Sequence, residues 1–184
     1  MKYDKEFDGP RGLWNAIKYG DIERQEKILE KLKGVRYFIS PDYTKCGDVP
    51  EIVNLYQQYK SHVVSIWLVM NLDTCVIPLV NCASPREYES SLIGLEDCET
   101  VAFNAKGPLG DKDQIPIFIK SVEYAVNYLK NLKSIVVYST SNNNAEIEKL
   151  FESAIAKNVK IIVPDTIMKT RNRLKGCQSH GFDK

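Results

Sequence analysis

Apolar residues have helical spacing in some segments of the chain and form strand-like runs in others, and the two kinds of segment alternate. Apolar groups from Ile22 to Leu32 repeat at the three- and four-residue steps of a helix that ends before Gly34. This pattern predicts a first helix after a polar lead that covers roughly residues 1–20. The following run from Val35 to Ser40 is β-branched and aromatic and stops at Pro41, which predicts strand one.

A long helix is predicted after strand one. Asp48, Pro50 and Glu51 supply an N-cap, a first-turn proline and an N3 carboxylate. Apolar residues then recur at helical steps up to about Asn71, namely Ile52, Tyr56, Tyr59, Val63, Ile66, Trp67 and Met70. The run V-V-S-I-W-L-V-M within this segment could instead form a buried strand.

Two more strands and a short helix are predicted in the middle of the chain. Strand two covers Cys75 to Asn81 despite Pro78, which suits an edge or bulge position. The segment S-P-R-E from Ser84 to Glu87 has a serine cap, a first-turn proline and a glutamate three residues after the cap, so we expect a helix there. Strand three covers Thr100 to Asn104.

The last third of the chain predicts two further strand and helix pairs. The glycines and proline of residues 105–113 predict an irregular loop. From Ile115 to Leu132 the apolar residues form one helical face, and Ser134 to Tyr138 predicts strand four. Asn143 would cap a helix whose inward residues are Ile147, Leu150, Phe151, Ala154 and Ile155. Val159 to Val163 predicts strand five.

The alternation of strands and helices predicts an α/β fold with about five mostly parallel strands. We expect a single α/β domain over residues 1–184, with a basic tail over roughly residues 168–184. An open, doubly wound sheet is favoured, and a partial barrel remains an alternative because the periodicity is the same in both.

Composition narrows the class of protein without identifying a function. The 43% hydrophobic and 27% charged fractions are those of an ordinary globular protein, and the formal charge of +1 creates no overall attraction to nucleic acid or membrane. The start of the chain has no apolar signal segment and no run is long enough to span a bilayer, so we expect a cytoplasmic protein with no membrane partner.

The sequence predicts no cofactor and no metal. The five cysteines include no C-x-x-C pair, and Cys75, Cys82 and Cys98 lie in or beside apolar segments where cysteine acts as a small hydrophobe. Neither a dinucleotide fingerprint, a phosphate loop nor a nucleophile elbow occurs. With only His62 and His180, a histidine-dependent dyad is not expected.

Polar residues follow each predicted strand, and in parallel α/β folds ligands bind at that edge of the sheet. The ligand-binding candidates are Asp42, Tyr43, Asn81, Asn104, Lys106, Ser139, Ser141 and Asp165. Asp42, Asn104 and Lys106 are preferred, because the others have a simpler role as turn or capping residues. Ser84 and Asn143 are already assigned as helix caps.

The tail has the one cluster of like charges in the sequence. Its cations are Lys169, Arg171, Arg173 and Lys175. They are candidates for contacts with nucleic-acid phosphates, and the alternative is a solvated helix end.

Four segments have the order and spacing of a known family: F-I-S-P-D-Y-T and V-P-E-I-V-N-L-Y-Q-Q-Y between Phe38 and Tyr59, then V-I-P-L-V-N, then T-V-A-F-N-A-K-G. Over roughly Trp14 to Asp165 the chain resembles an uncharacterised family, domain of unknown function 4417, which is associated with bacteria, phages and other mobile elements. The resemblance implies β-α units and favours helix over strand for His62 to Met70.

The chain departs from the family pattern at two strand ends. Asn81, Cys82 and Ala83 stand where a serine and a tryptophan are expected, and N-A-K-G after strand three replaces a serine or threonine and glycine pattern. The resemblance therefore transfers no active site to this chain.

Two functional hypotheses follow. In the first, the strand ends bind a small polar or phosphorylated ligand, with or without enzymatic turnover, through Asp42, Asn104 and Lys106. In the second, the protein is a non-enzymatic accessory or regulatory protein of a phage or mobile element that binds a host protein or nucleic acid.

Overall fold

A computed structural model describes Gly9, residues 12–141 and residues 144–165. The chain forms two compact units, which divide between Ser91 and Leu92. They are called the N-terminal unit and the C-terminal unit below. No helix in the described part combines the length and the apolar character that crossing a bilayer requires.

The described part of the N-terminal unit contains three α-helices and three short strands. In chain order they are α1 (Leu13–Lys18), α2 (Ile22–Leu32), β1 (Tyr37–Ile39), α3 (Glu51–Asn71), β2 (Cys75–Ile77) and β3 (Leu79–Val80). The strands β1 and β2 pair in parallel, with Phe38 opposite Val76. The core beside them consists of Leu13, Ile28, Leu32, Phe38, Val64 and Leu68. The helix α1 lies inside the predicted polar lead and buries Leu13 and Ala16.

Helix α3 confirms the prediction of a long helix and excludes the alternative strand at residues 63–70. It begins at Glu51 with Pro50 as its N-cap, so Asp48 does not cap it. Its burial follows its apolar pattern only in part. The side chains of Asn54, Ser61, Val64 and Leu68 are buried, whereas the exposed ones include Ile52, Tyr56, Tyr59, Ile66 and Met70.

Two predictions in the middle of the chain need correction. The predicted strand two is interrupted at Pro78, which cannot donate a backbone hydrogen bond, and it forms β2 and β3. The predicted helix after Ser84 is wrong, because only a 3₁₀ turn forms at Pro85–Glu87. Ser84 makes no capping bond there; its Oγ donates to the carboxylate of Glu87, which is engaged in other contacts.

The C-terminal unit repeats a strand–helix pattern. Among its described residues, the elements are β4 (Thr100–Asn104), α4 (Lys106–Leu109), α5 (Gln114–Tyr128), β5 (Ser134–Tyr138), α6 (Asn144–Leu150), α7 (Glu152–Ala156) and β6 (Lys160–Ile162). The three strands are parallel and adjacent in chain order, with Val101 opposite Ile135 and Ile135 opposite Ile161. The predicted α/β class with parallel strands is confirmed, and the choice between open sheet and barrel stays a prediction.

Two details of the C-terminal unit differ from expectation. The predicted irregular loop contains the single helical turn α4, because Pro108 lies in the first turn, where a backbone N–H has no helical partner to lose. The predicted last helix is divided into α6 and α7 at Phe151, whose backbone leaves the helical region. The cap predicted at Asn143 lies outside the described residues.

Three phenylalanines hold the helices of the C-terminal unit to its strands. Phe103 of β4, Phe118 of α5 and Phe151 contact one another edge to face, with ring centroids 5.5–5.8 Å apart. Such pairs add to the stabilisation that burial of each ring provides. Both connections between the strands therefore place an aromatic ring over Phe103.

Removing one ring should destabilise this unit strongly. Because Phe151 is fully buried, Phe151→Ala should lower the free energy of unfolding by about 3–5 kcal/mol through lost burial and a cavity. The control Ile155→Ala removes an exposed side chain from the adjacent helix and should cost less than about 1 kcal/mol. Urea denaturation measures both, and similar losses would show that the ring cluster does not stabilise the unit.

Candidate functional site

Three of the predicted ligand-binding residues come together in the N-terminal unit. Asp42 and Tyr43 follow β1, and Asn81 follows β3. The side-chain amide of Asn81 donates to Oδ1 of Asp42 over 2.8 Å. All three line one small pocket, called the strand-end pocket, whose other lining residues are Pro41, Lys45, Gln57, Gln58, Ser61, His62, Leu79 and Ser91.

The other five candidates lie at the strand ends of the C-terminal unit. There Asn104 Oδ1 accepts from the N–H of Lys106, and Ser139 Oγ accepts from the N–H of Ser141, each over 3.1 Å. These bonds shape turns after β4 and β5, which is the simpler role for such residues. The Lys106 and Asp165 side chains are exposed. Lys169, Arg171, Arg173 and Lys175 of the tail lie outside the described residues.

A buried ammonium group lies in the wall of the strand-end pocket. The side chain of Lys45 is only 6% exposed. Its Nζ donates to the backbone oxygen of Asn81 over 2.8 Å and to Oε1 of Gln58 over 3.1 Å, and it lies 3.2 Å from Oε2 of Glu87. The ammonium therefore makes two hydrogen bonds and one ion pair, and the carboxylate of Glu87 compensates its charge.

The carboxylate of Glu87 is satisfied equally completely. Its Oε1 accepts from Asn54 over 2.9 Å and from Ser84 over 3.3 Å, and its Oε2 contacts Lys45 and the N–H of Ala83. Buried charges are tolerated only when they are paired and hydrogen-bonded in this way. The glutamate that the sequence pattern assigns to a helix cap is therefore one half of a buried ion pair.

Polar residues of α3 complete the network around this ion pair. Asn54 Oδ1 accepts from the N–H of Cys46 over 3.1 Å, and Asn54 Nδ2 donates to the carbonyl of Cys46 over 2.8 Å. Gln58 also donates to the carbonyl of Ser90 over 2.6 Å. The helix thus uses its buried polar stripe to hold the loop after β1 and the turns after β3. In the sequence, the four-residue spacing of Asn54 and Gln58 is the feature that could have indicated this polar stripe.

The loop that includes Lys45 packs closely on the backbone of its neighbour. A Cβ at Gly47 would lie 3.0 Å from the carbonyl oxygen of Ala83, which is closer than side chains normally approach. Only glycine therefore fits at this position without a shift of the backbone. The close packing keeps Lys45 on the loop within reach of Glu87.

One acceptor at the pocket has no partner within the described part of the chain. The Oε1 atom of Gln57 is buried and accepts no hydrogen bond. The pocket volume is about 20 Å³, which admits roughly one water-sized group. An unsatisfied buried oxygen beside a cavity of this size is a position for one hydrogen-bond donor.

Two titratable groups near the pocket are neutral at pH 7. Burial lowers the pKa of His62, and the positive charge of Lys45 lowers it further. Burial raises the pKa of the Cys82 thiol to about 11. Cys82 is therefore a protonated thiol and a poor nucleophile at neutral pH.

A second and larger cavity lies elsewhere in the N-terminal unit. It has a volume of about 930 Å³ and is lined by residues that precede β1 and β2, including Arg36 and Thr74. It thus lies at the amino ends of these strands and includes none of the predicted site residues. No cluster of metal-binding side chains occurs among the residues that the structure describes.

Breaking the buried ion pair on one side should be costly. Lys45→Met leaves the Glu87 carboxylate buried without a cation and should lower the free energy of unfolding by about 3–5 kcal/mol. Adding Glu87→Gln to the Lys45→Met variant removes the uncompensated charge and should recover part of that loss. Urea denaturation of both single variants and the double variant measures the recovery. As a control, Lys133→Met disrupts an exposed pair with Glu99 and should cost less than about 1 kcal/mol. Additive losses in the double variant would contradict this account.

His62 should make the fold less stable in mild acid. Since its folded pKa is below the value in the unfolded chain, the unfolded state binds more protons, and stability falls as the pH drops below about 6.5. His62→Asn should reduce the difference between urea midpoints measured at about pH 7.5 and pH 5.5. The chain has one other histidine, so His180→Asn is the matched control. An unchanged difference in His62→Asn would refute the assignment.

Comparison with known proteins identifies a family but no characterised relative. A sequence model described as Domain of unknown function (DUF4417) matches residues 18–164. No curated protein and no solved structure matches the chain. The match covers most of the chain, including α2, the strand-end pocket and the strands β1 to β6. As its resemblance predicts, the chain belongs to the family Domain of unknown function (DUF4417).

Proposed function

We propose that the N-terminal unit binds a small polar ligand in the strand-end pocket, through a hydroxyl or amino group of the ligand. The observation that supports this most directly is the buried Oε1 of Gln57, which accepts no hydrogen bond from the described residues. A buried acceptor without a donor costs about 1–3 kcal/mol, and a ligand donor would remove that cost.

The charges around the pocket favour a ligand that donates a hydrogen bond over a ligand that carries a phosphate. Lys45 makes two hydrogen bonds and an ion pair inside the protein, and its side chain is only 6% exposed, so its ammonium is already engaged. His62 is neutral because burial lowers its pKa. Asp42 adds a carboxylate at the pocket. Within the pocket lining, a phosphorylated ligand would meet this negative charge, while the lining cation Lys45 is already paired with Glu87.

The dimensions indicate recognition of one functional group. A volume of about 20 Å³ takes a hydroxyl or an ammonium, while the rest of the ligand would lie outside, near Asp42 and Tyr43. The Cys82 thiol is protonated at neutral pH, so it offers no nucleophile. The proposal is therefore binding, without a covalent step.

The cellular setting is also part of the proposal. The four described cysteines, Cys46, Cys75, Cys82 and Cys98, are free thiols, as a reducing compartment maintains them. We infer a cytoplasmic protein on that ground. An origin in a phage or mobile element stays a prediction from the family resemblance.

Nuclear magnetic resonance with simple probes tests the pocket. Methylammonium or glycerol, added to the ¹⁵N-labelled full chain, should shift the side-chain amide signals of Gln57 and Asn81, whereas inorganic phosphate should not. Gln57→Met removes the acceptor together with its own amide signal, and it should abolish the shift at Asn81. Gln57→Glu should strengthen methylammonium binding about 5- to 10-fold, because hydrogen bonds to a charged group are stronger.

An exposed amide in the other unit provides the control. Asn127→Ala on α5 should leave the probe shifts unchanged. A response to phosphate alone, or equal responses in the Gln57→Met variant and the unaltered protein, would overturn the proposal.

A further inference from the structure

Helix α3 exposes an aromatic surface where a helix of this type normally exposes charges. Tyr56 is 44% exposed and Tyr59 is 56% exposed. Their rings are stacked with an interplanar angle of 22° and centroids 6.2 Å apart. Scattered exposed apolar residues are ordinary on protein surfaces, but aromatic rings grouped on one surface are typical of binding sites.

A tryptophan of α1 holds the two tyrosine rings in place. Trp14 of α1 contacts both rings edge to face, with centroid distances of 6.1 Å to Tyr56 and 6.0 Å to Tyr59. Trp14 itself packs against the buried core of the N-terminal unit. The rings are thus ordered before any partner binds, which lowers the entropic cost of binding.

Two lysines flank these rings. The Nζ of Lys60 lies 4.3 Å from the ring centroid of Tyr43 and 5.6 Å from that of Tyr56. The Nζ of Lys18 lies 5.1 Å from the ring centroid of Tyr19 and also interacts with Tyr56. We call this group the aromatic surface; it consists of Trp14, Lys18, Tyr19, Tyr43, Tyr56, Tyr59 and Lys60. These seven residues combine π faces with positive charge.

We propose that the aromatic surface binds single-stranded nucleic acid, with bases stacked on Tyr56 and Tyr59 and phosphates next to Lys18 and Lys60. Flat rings accept any base, and the lysines complement the charge of the backbone. A duplex keeps its bases stacked on one another and cannot use the rings, so single strands are the expected partner. Tyr43 also lines the strand-end pocket, but the inference depends on Tyr56 and Tyr59 and does not require the ligand proposed there.

Fluorescence anisotropy of a labelled oligo(dT) of about 15 nucleotides, with the full chain, tests the surface. Tyr59→Leu retains an apolar side chain but removes the ring, and it should weaken binding about 5- to 150-fold. Tyr59→Phe retains the ring and should bind as the unaltered protein does. Lys60→Met should reduce the slope of log affinity against log salt by about 0.7.

Two control variants test whether binding depends on these rings. Ile66→Ala changes an exposed aliphatic side chain farther along the same helix and should leave binding unchanged. A variant with Lys169, Arg171, Arg173 and Lys175 changed to glutamine should retain the difference between Tyr59→Leu and Tyr59→Phe.

Three results would overturn the proposal. One is the absence of oligo(dT) binding at low salt, and another is equal binding by Tyr59→Leu and Tyr59→Phe. The third is a loss in Ile66→Ala as large as that in Tyr59→Leu, which would indicate an apolar protein partner. Circular dichroism of each variant verifies that the fold is intact, as expected for changes at exposed positions.

Discussion

The ion pair between Lys45 and Glu87 is the constraint on which the N-terminal unit depends. Lys45 lies in the loop after β1 and Glu87 in the turn after β3, so neither charge is buried until both segments are in place. An isolated charge would be expensive in this environment, which means that the segments must assemble together. Asn54 and Gln58 extend the requirement to α3. The strand-end pocket exists because this network keeps three segments at fixed positions.

The parts of the fold that follow from burial alone were predictable. The strands Thr100–Asn104 and Ser134–Tyr138 have the predicted limits, because continuous apolar runs between helices are typical of buried parallel strands. Helix α2 likewise has its predicted limits. Local sequence signals were less informative about where strands and helices are interrupted. Pro78 divided a strand because it has no backbone N–H, and the periodic pattern did not indicate the division of a helix at Phe151.

The candidate site was predicted in part. The position of a residue after a strand correctly brought Asp42 and Asn81 together, since β2 is the parallel partner of β1 and β3 follows β2 directly along the chain. Lys45 and Glu87 were missed because they are 42 positions apart along the chain and each has an ordinary local role. The sequence around Glu87 has the capping pattern of a helix, but no α-helix forms there. The carboxylate of Glu87 instead accepts hydrogen bonds from Asn54 and Ser84.

Hydrophobicity is an incomplete guide to which residues of α3 are buried. Polar residues such as Asn54 and Ser61 are buried and have specific partners, whereas Ile66 and Met70 are apolar and exposed. During evolution, polar positions on this helix should therefore change slowly and several apolar ones quickly. A method that ranks positions by hydrophobicity would recognise Val64 and Leu68 as buried but would assign too much tolerance to Asn54. Among relatives of this chain, polar side chains at the positions of Asn54 and Ser61 would mark the buried side of α3 together with the aliphatic ones beside them.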